Sequence, residues 1–242
     1  LDAGYSRKLS DQIGIGIALR FIYSNLANGT TNGVTYKPGT AVAGDISFYY
    51  NGLNDVGTGF TAGAVMSNLG SKIAYTNDAR GKDYIPANLG IGAMYTKAID
   101  DVNSISFGID INKLLVPTPP TDTSGTARDN YRNKSVAGSW FSSFGDAPGG
   151  FGEELKEFQI STGLEYGYND QFFARAGYFY EAKTKGNRRF FSVGAGVKYN
   201  KLGFNFSYLV PTGQGINRNP LSNTTRFSLL FDLGGDGSET MQ

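Results

Sequence analysis

The sequence predicts an all-β fold, a transmembrane antiparallel β-barrel of the outer-membrane kind, on three observations. Apolar residues recur at every second position, turns alternate between short and long, and tyrosines gather at strand ends. From Glu157 the chain reads Glu-Phe-Gln-Ile-Ser-Thr-Gly-Leu-Glu-Tyr-Gly-Tyr. A strand turns successive side chains to opposite faces, so Phe158, Ile160, Leu164, Tyr166 and Tyr168 share one face. Gln159, Ser161, Gly163, Glu165 and Gly167 share the other. The same beat recurs in about eleven segments, and that repetition is the mark of strands with one face in lipid.

Taken in order, each segment is alternating text closed by a turn. The segment 1–9 stops at Ser10-Asp11-Gln12, and 13–27 runs to the loop 28–40. Strand 41–51 turns near Gly52 to Val56 into 57–68, which ends in the loop 69–84. Strand 85–97 turns at Ala98 to Asp101 into 103–114, and the longest connection, 115–156, follows. Strands 157–169 and 171–182 meet at Asn169-Asp170. After 183–187, strands 188–200 and 202–210 meet at Asn200-Lys201, and 211–223 leads to 224–233. Outer-membrane barrels pair short periplasmic turns with longer outside loops, and every connection obeys that alternation.

If the last strand ends on the periplasmic side, counting back makes strand 1–9 run inward as well. The chain then starts outside the cell, so an odd number of strands is expected to precede Leu1, as in a truncated barrel. No signal peptide is expected, since Leu1-Asp2-Ala3-Gly4-Tyr5 already reads as strand. The expected organisation is one barrel domain over 1–233, an extracellular loop with a short helix over 115–156, and a polar tail over 234–242.

Composition narrows the function. The 242 residues carry a net charge of +1, which disfavours a broad nucleic-acid surface. There is no run of about 18 uncharged apolar residues, which excludes helical spans. The absence of cysteine and histidine removes Ser-His-Asp and Cys-His chemistry and the usual zinc sites. The expectation is a non-enzyme with no cofactor, no metal and no nucleic-acid partner. Glycine (34) and Tyr plus Phe (15 and 17) suit strands and tight turns.

Tyr50, Tyr95, Tyr168 and Tyr199 lie beside short turns, and Tyr23, Tyr178, Tyr180 and Tyr208 towards long loops, as two interfacial belts require. The inward face is expected to hold Gly14, Gly16, Gly90, Gly92, Gly163, Gly167, Gly177, Gly194 and Gly196 beside Arg20, Asp45, Glu165, Arg175 and Lys198. Its glycines either bend the wall or make room for a plug. Its mixed charges point to internal pairs rather than a selectivity ring. The Gly-x-Gly pairs at Gly14, Gly90 and Gly194 lie within strands with no following helix, so they are not nucleotide loops. Asp100-Asp101 and Glu153-Glu154 read as solvated turn carboxylates.

The segment 115–156 exceeds an ordinary connection. Its Pro117-Thr118-Pro119-Pro120 and following Thr/Ser/Gly run should be extended and mobile. The stretch Ser135–Phe144 suits a short helix, Asp146–Phe151 a turn, and Glu153–Lys156 a lead into the next strand. Trp140, Phe141, Phe144 and Phe151 are candidate cargo or partner anchors, unless they fold back to cap the barrel. Lys183, Lys185, Arg188 and Arg189 are candidates for contact with lipopolysaccharide or a partner, unless they form a merely solvated basic loop.

Three stretches carry a family resemblance: Asp146-Ala147-Pro148-Gly149-Gly150-Phe151-Gly152-Glu153-Glu154-Leu155-Lys156-Glu157, then Lys183-Thr184-Lys185-Gly186-Asn187-Arg188-Arg189-Phe190-Phe191, and Asn219-Pro220-Leu221-Ser222-Asn223-Thr224-Thr225-Arg226-Phe227. The chain resembles the PorV (LptO) family of the Bacteroidetes type IX secretion system, from Leu1 to about Leu233. The resemblance implies a FadL-related barrel of fourteen strands with an N-terminal hatch, of which about eleven strands would be present. It implies a non-catalytic protein that binds the folded C-terminal signal domain of secreted cargo. Its implied partners are the Sov/SprA translocon barrel, the PorU sortase and outer-membrane lipopolysaccharide. A FadL-like transporter of hydrophobic small molecules is the alternative, and a passive porin is a third reading.

Overall fold

The computed structural model describes residues 1–26, 28–77, 81–122, 124–212 and 223–232. The strands are β1 (Asp2–Lys8), β2 (Ile13–Ser24), β3 (Gly29–Thr31), β4 (Val34–Tyr36), β5 (Gly39–Leu53), β6 (Gly59–Gly70), β7 (Ile73–Ala74) and β8 (Lys82–Asp83), followed by β9 (Asn88–Ala98), β10 (Asn103–Leu114), β11 (Gln159–Tyr168), β12 (Phe172–Tyr180), β13 (Arg189–Tyr199), β14 (Leu202–Pro211) and β15 (Thr225–Phe231). Between β10 and β11 lie helices α1 (Gly125–Asn133), α2 (Val136–Ser142) and α3 (Phe151–Glu154), then a 3₁₀ turn at Leu155–Glu157. All eleven expected strands are present, displaced by a few residues at most.

Those eleven strands form one sheet in the order β1-β2-β5-β6-β9-β10-β11-β12-β13-β14-β15. Consecutive strands pair antiparallel, as in Ile15↔Phe48 and Ile17↔Ile46 between β2 and β5. The end strands β1 and β15 are not paired with each other among the described residues, so the sheet is open, as about eleven of the fourteen strands of a full barrel would leave it. The polar tail expected at 234–242 and the motif residues Asn219–Ser222 lie outside the described residues.

The short hairpins β3–β4 and β7–β8 fall in stretches expected to be loops. The first turns on Asn32-Gly33, both at positive φ (52° and 78°), the backbone that a tight two-residue hairpin demands. The second pairs Ile73 with Asp83 and Ala74 with Lys82. No helix among the described residues is long and apolar enough to cross a membrane.

The chain divides into two compact units. In the first (1–52, 61–93 and 110–160), β2 alternates cleanly. Ile15, Ile17, Leu19, Phe21 and Tyr23 are exposed, while Gly14, Gly16, Ala18, Arg20, Ile22 and Ser24 are half-buried on the opposite face. The only sizeable apolar cluster among the described residues lies on that second face, where Ala41 and Ala43 of β5 pack against Ile73 and Ile85, flanked by Ile22 and Tyr75. Arg20 donates to Asp2 at 2.8 Å, pairs with Asp45 at 3.3 Å and bonds Asn68. These are the expected internal pairs.

The second unit (53–60, 94–109 and 161–242) repeats the pattern. Leu164, Tyr166 and Tyr168 of β11 and Phe191, Val193, Val197 and Tyr199 of β13 are exposed and apolar. Arg175 pairs with Glu165 and donates to Asn205 at 2.7 Å. Several glycines make room for polar side chains on neighbouring strands, whereas Gly194 faces the Phe206 carbonyl. A Cβ on Gly177 would sit 2.9 Å from Ser192 Oγ, and one on Gly196 would sit 2.6 Å from Asn205 Oδ1. Gly16 faces Ser47 of the first unit in the same way, at 2.6 Å. Of the tyrosines expected in belts, Tyr23, Tyr95, Tyr168, Tyr180 and Tyr199 are exposed, and Tyr50, Tyr178 and Tyr208 are half-buried. Lys198 is exposed, unlike the other charges expected inside.

Candidate functional site

The connection from β10 to β11 is built inward from its ends. Leu115 donates its backbone N–H to Ala87 at 2.7 Å and is buried, as is Pro117. Thr118 then donates its N–H and hydroxyl to the Asp146 carboxylate, at 3.2 and 2.8 Å. The proline stretch expected to be mobile is therefore tied across the loop. The Thr/Ser run beyond it starts α1, which the sequence reading missed. Ser124 caps the helix by accepting from Ala127 N–H at 3.3 Å. Asp122 accepts from the Ser124 N–H and hydroxyl, and these bonds hold its carboxyl below the usual carboxylate range.

The C-terminal end of α1 is held by the preceding long loop. Lys72 Nζ donates to the carbonyls of Arg132 and Lys134 (2.5 and 2.8 Å), where a cation suits the helix dipole. Tyr84 Oη donates to the carbonyls of Tyr131 and Lys134 (3.0 and 2.8 Å). The Lys72 ammonium also sits 4.2 Å over the Tyr84 ring. Desolvation, then Lys82, lowers the Lys72 pKa, while desolvation, then Tyr131, raises that of Tyr84.

Helix α2 falls within the stretch expected to be helical, capped by Ser135 accepting from Gly138 N–H at 3.1 Å. Ser139 and Ser143, four residues apart on one helix face, are buried. Phe141 is 75% exposed, and Phe151, which opens α3, is 77% exposed. The other two aromatic candidates differ. Trp140 is half-buried, its indole N–H enclosed without a hydrogen-bond partner among the described residues. Phe144 is partly exposed, with its ring over an ammonium group.

That ammonium is Lys113, 1% exposed at the end of β10, and the sequence reading did not single it out. Its Nζ lies 2.6 Å from Glu154 and 2.7 Å from Glu157, with the rings of Phe144 and Phe158 at 5.6 and 5.4 Å. Glu154, expected to be a solvated turn carboxylate, is instead buried beside this cation and also accepts from Ala147 N–H at 3.3 Å. Burying a carboxylate is costly unless a cation and hydrogen bonds meet it, and both are supplied here. Glu153 accepts from Gly149 N–H at 2.7 Å. Asp100 stays in an exposed turn, its pKa lowered by hydrogen bonds from the Val102 N–H and then the Asn103 side chain.

By strand alternation Lys113 lies on the face of Ile111, which is exposed. Phe144, Glu154 and Glu157 thus meet β10 at Lys113, on the face of Ile111, while Ile73 and Ile85 of the 71–87 loop pack against Ala41 and Ala43 on the opposite face of the sheet. A signal was present in the sequence. Lys113 continues an apolar alternation at the position where a charge needs a partner.

The basic candidates lie in the 181–188 connection of the second unit and, for Arg189, at the first residue of β13. Arg188 donates through Nε and Nη2 to the buried Glu181 carboxylate at 2.8 and 2.7 Å. Hydrogen bonds from its own side chain to Glu181 raise its pKa. Arg189 stacks its guanidinium 4.7 Å over Tyr180 and is half-buried. Lys185 is half-buried and Lys183 exposed. The two arginines thus serve the loop's own fold. In the same unit a cleft of about 260 Å³, lined by Phe173, Arg175, Lys198, Gly203, Asn205 and Leu230, lies beside the Asn200-Lys201 turn.

The family model described as type IX secretion system protein PorV matches residues 1–121, half of the chain. The chain belongs to the PorV family. The matched half excludes all three motif stretches quoted above, so family membership rests on residues independent of them. No curated protein matches the chain. As a PorV-family protein it is an outer-membrane component of the type IX secretion system, consistent with strands whose one face is apolar and exposed.

Proposed function

We propose that this PorV-family chain accepts secreted cargo at the cell surface by binding its folded C-terminal signal domain. It receives cargo from the Sov/SprA translocon barrel and passes it to the PorU sortase for attachment to lipopolysaccharide. Its work is binding and transfer, not catalysis. One observation carries the reading: two large aromatic side chains, Phe141 and Phe151, stand almost fully exposed on a loop whose base is tightly fixed. Exposed aromatics on a pre-ordered base suit protein recognition, because little ordering entropy remains to be lost on binding. Lys183 and the exposed part of Arg188 are the basic contacts left for lipopolysaccharide.

The test is affinity purification of the tagged full-length protein from its own outer membrane, with mass spectrometry of what accompanies it. Cargo still carrying signal domains, together with the translocon, is the expected recovery. The double variant Phe141→Ala/Phe151→Ala should lose at least about ten-fold of the captured cargo while the barrel still assembles, since truncating an anchor costs upward of about 2 kcal/mol. Undiminished capture removes these residues from the interface. Recovery of bound fatty acid without protein partners replaces the reading with small-molecule transport.

A further inference from the structure

We propose that Lys113 is the positioning residue of the α2–α3 surface, a buried ionic latch that holds the loop against the end of β10. That its release affects cargo rests on the cargo-binding reading; the latch itself does not. The Lys113 ammonium reaches the middle and the C-terminal end of the segment it restrains. Phe144 follows α2, Glu154 ends α3, and Glu157 ends the 3₁₀ turn that enters β11. Glu157 also accepts from the Thr118 hydroxyl at 3.3 Å, and Thr118 bonds Asp146, so the start of the loop is drawn to the same centre.

A centre of this kind switches rather than slides. With the ammonium in place, two carboxylates share one buried cation. Without it they face each other and two phenyl rings, and the simplest relief is to lift the segment back into solvent. Phe141 and Phe151 are exposed on that segment, so their placement relative to β10 follows from the Lys113 anchor.

The experiment uses the full-length protein purified from outer membrane in detergent, with Lys113→Met and, in case that variant fails to assemble, Glu154→Gln. Trp140 sits in α2, so its quenching by iodide, corrected with a Trp140→Phe control, reports docking without cargo. The latch predicts a several-fold rise in quenching and roughly ten-fold or faster protease cleavage at Arg128, Arg132 and Lys134, because cleavage follows the opened population. Lys113→Arg, which keeps the charge, should stay closer to the parent than Lys113→Met. If Trp140 stays as shielded and the loop as resistant in Lys113→Met and Glu154→Gln as in the parent, the latch is refuted. Release of the loop with cargo capture unchanged supports the latch and refutes the cargo role of this surface.

Discussion

The two long loops of the first unit, 71–87 and 115–158, meet the sheet by opposite chemistry. The first lays Ile73, Ile85 and Tyr75 on the small residues Ala41 and Ala43 of the inner face. The second encloses a charged side chain on the outer face, between two carboxylates and two rings. At this contact the inner face presents small alanines, so the loop approaches closely and is held by apolar packing together with neutral hydrogen bonds such as Tyr75 Oη to Ser24 Oγ at 3.0 Å. The outer face is apolar in its own right, and greasy contact there would not distinguish loop from lipid. A buried ion triad sets one register for the loop, because a misplaced carboxylate leaves an uncompensated charge.

The largest test of that contrast is Ile85→Ala, which should destabilise the docking of 71–87 by about 2–5 kcal/mol as a buried aliphatic truncation. Hydrogen exchange of the full-length protein should rise through 72–87 while α2 and α3 stay protected. If both loops open together, the two docking modes are one cooperative structure and the contrast fails.

Next comes the assignment of faces. Leu164 of β11 is half-exposed on the apolar face, and Leu164→Arg should cost about 2–4 kcal/mol near the bilayer midplane. Heat-modified gel mobility reads the loss of the assembled barrel. Unchanged mobility would mean that this face of β11 does not meet hydrocarbon.

The strands were legible because a period of two survives any amount of interior dilution, and turns such as Asn169-Asp170 announce themselves. Helix α2 was legible for the same local reason, with Ser135 ahead of a short non-breaking run. Helix α1 was not, because Ser124 sits in a Thr/Ser/Gly stretch whose composition resembles a linker and whose helix is held by contacts from residues 72 and 84. The aromatic candidates could be found by type, yet only packing separates exposed Phe141 and Phe151 from Trp140 and Phe144. Glu154 was misread because an adjacent pair of carboxylates looks the same whether water or Lys113 faces it. Its partner lies across the loop, and pairings over that distance leave no periodic trace.

The smallest test concerns the clamp joining the loops. Tyr84→Phe removes a hydroxyl that donates to the Tyr131 and Lys134 carbonyls, and should cost about 0.5–1.5 kcal/mol, visible as faster exchange at the end of α1. The pH dependence fixes its sign. Burial raises the Tyr84 pKa, so the folded loop holds that proton more tightly than the unfolded chain does. Its contribution is complete below the ordinary phenol range of about 10 and is lost as pH climbs through the raised value. Lys72 acts in the opposite direction, since its lowered pKa favours the neutral amine as pH rises. The difference between parent and Tyr84→Phe isolates the tyrosine and should shrink on alkaline titration. A difference that is flat above that range would assign the clamp to Lys72 and the Tyr84 ring beneath it, leaving the hydroxyl without a part in joining the two loops.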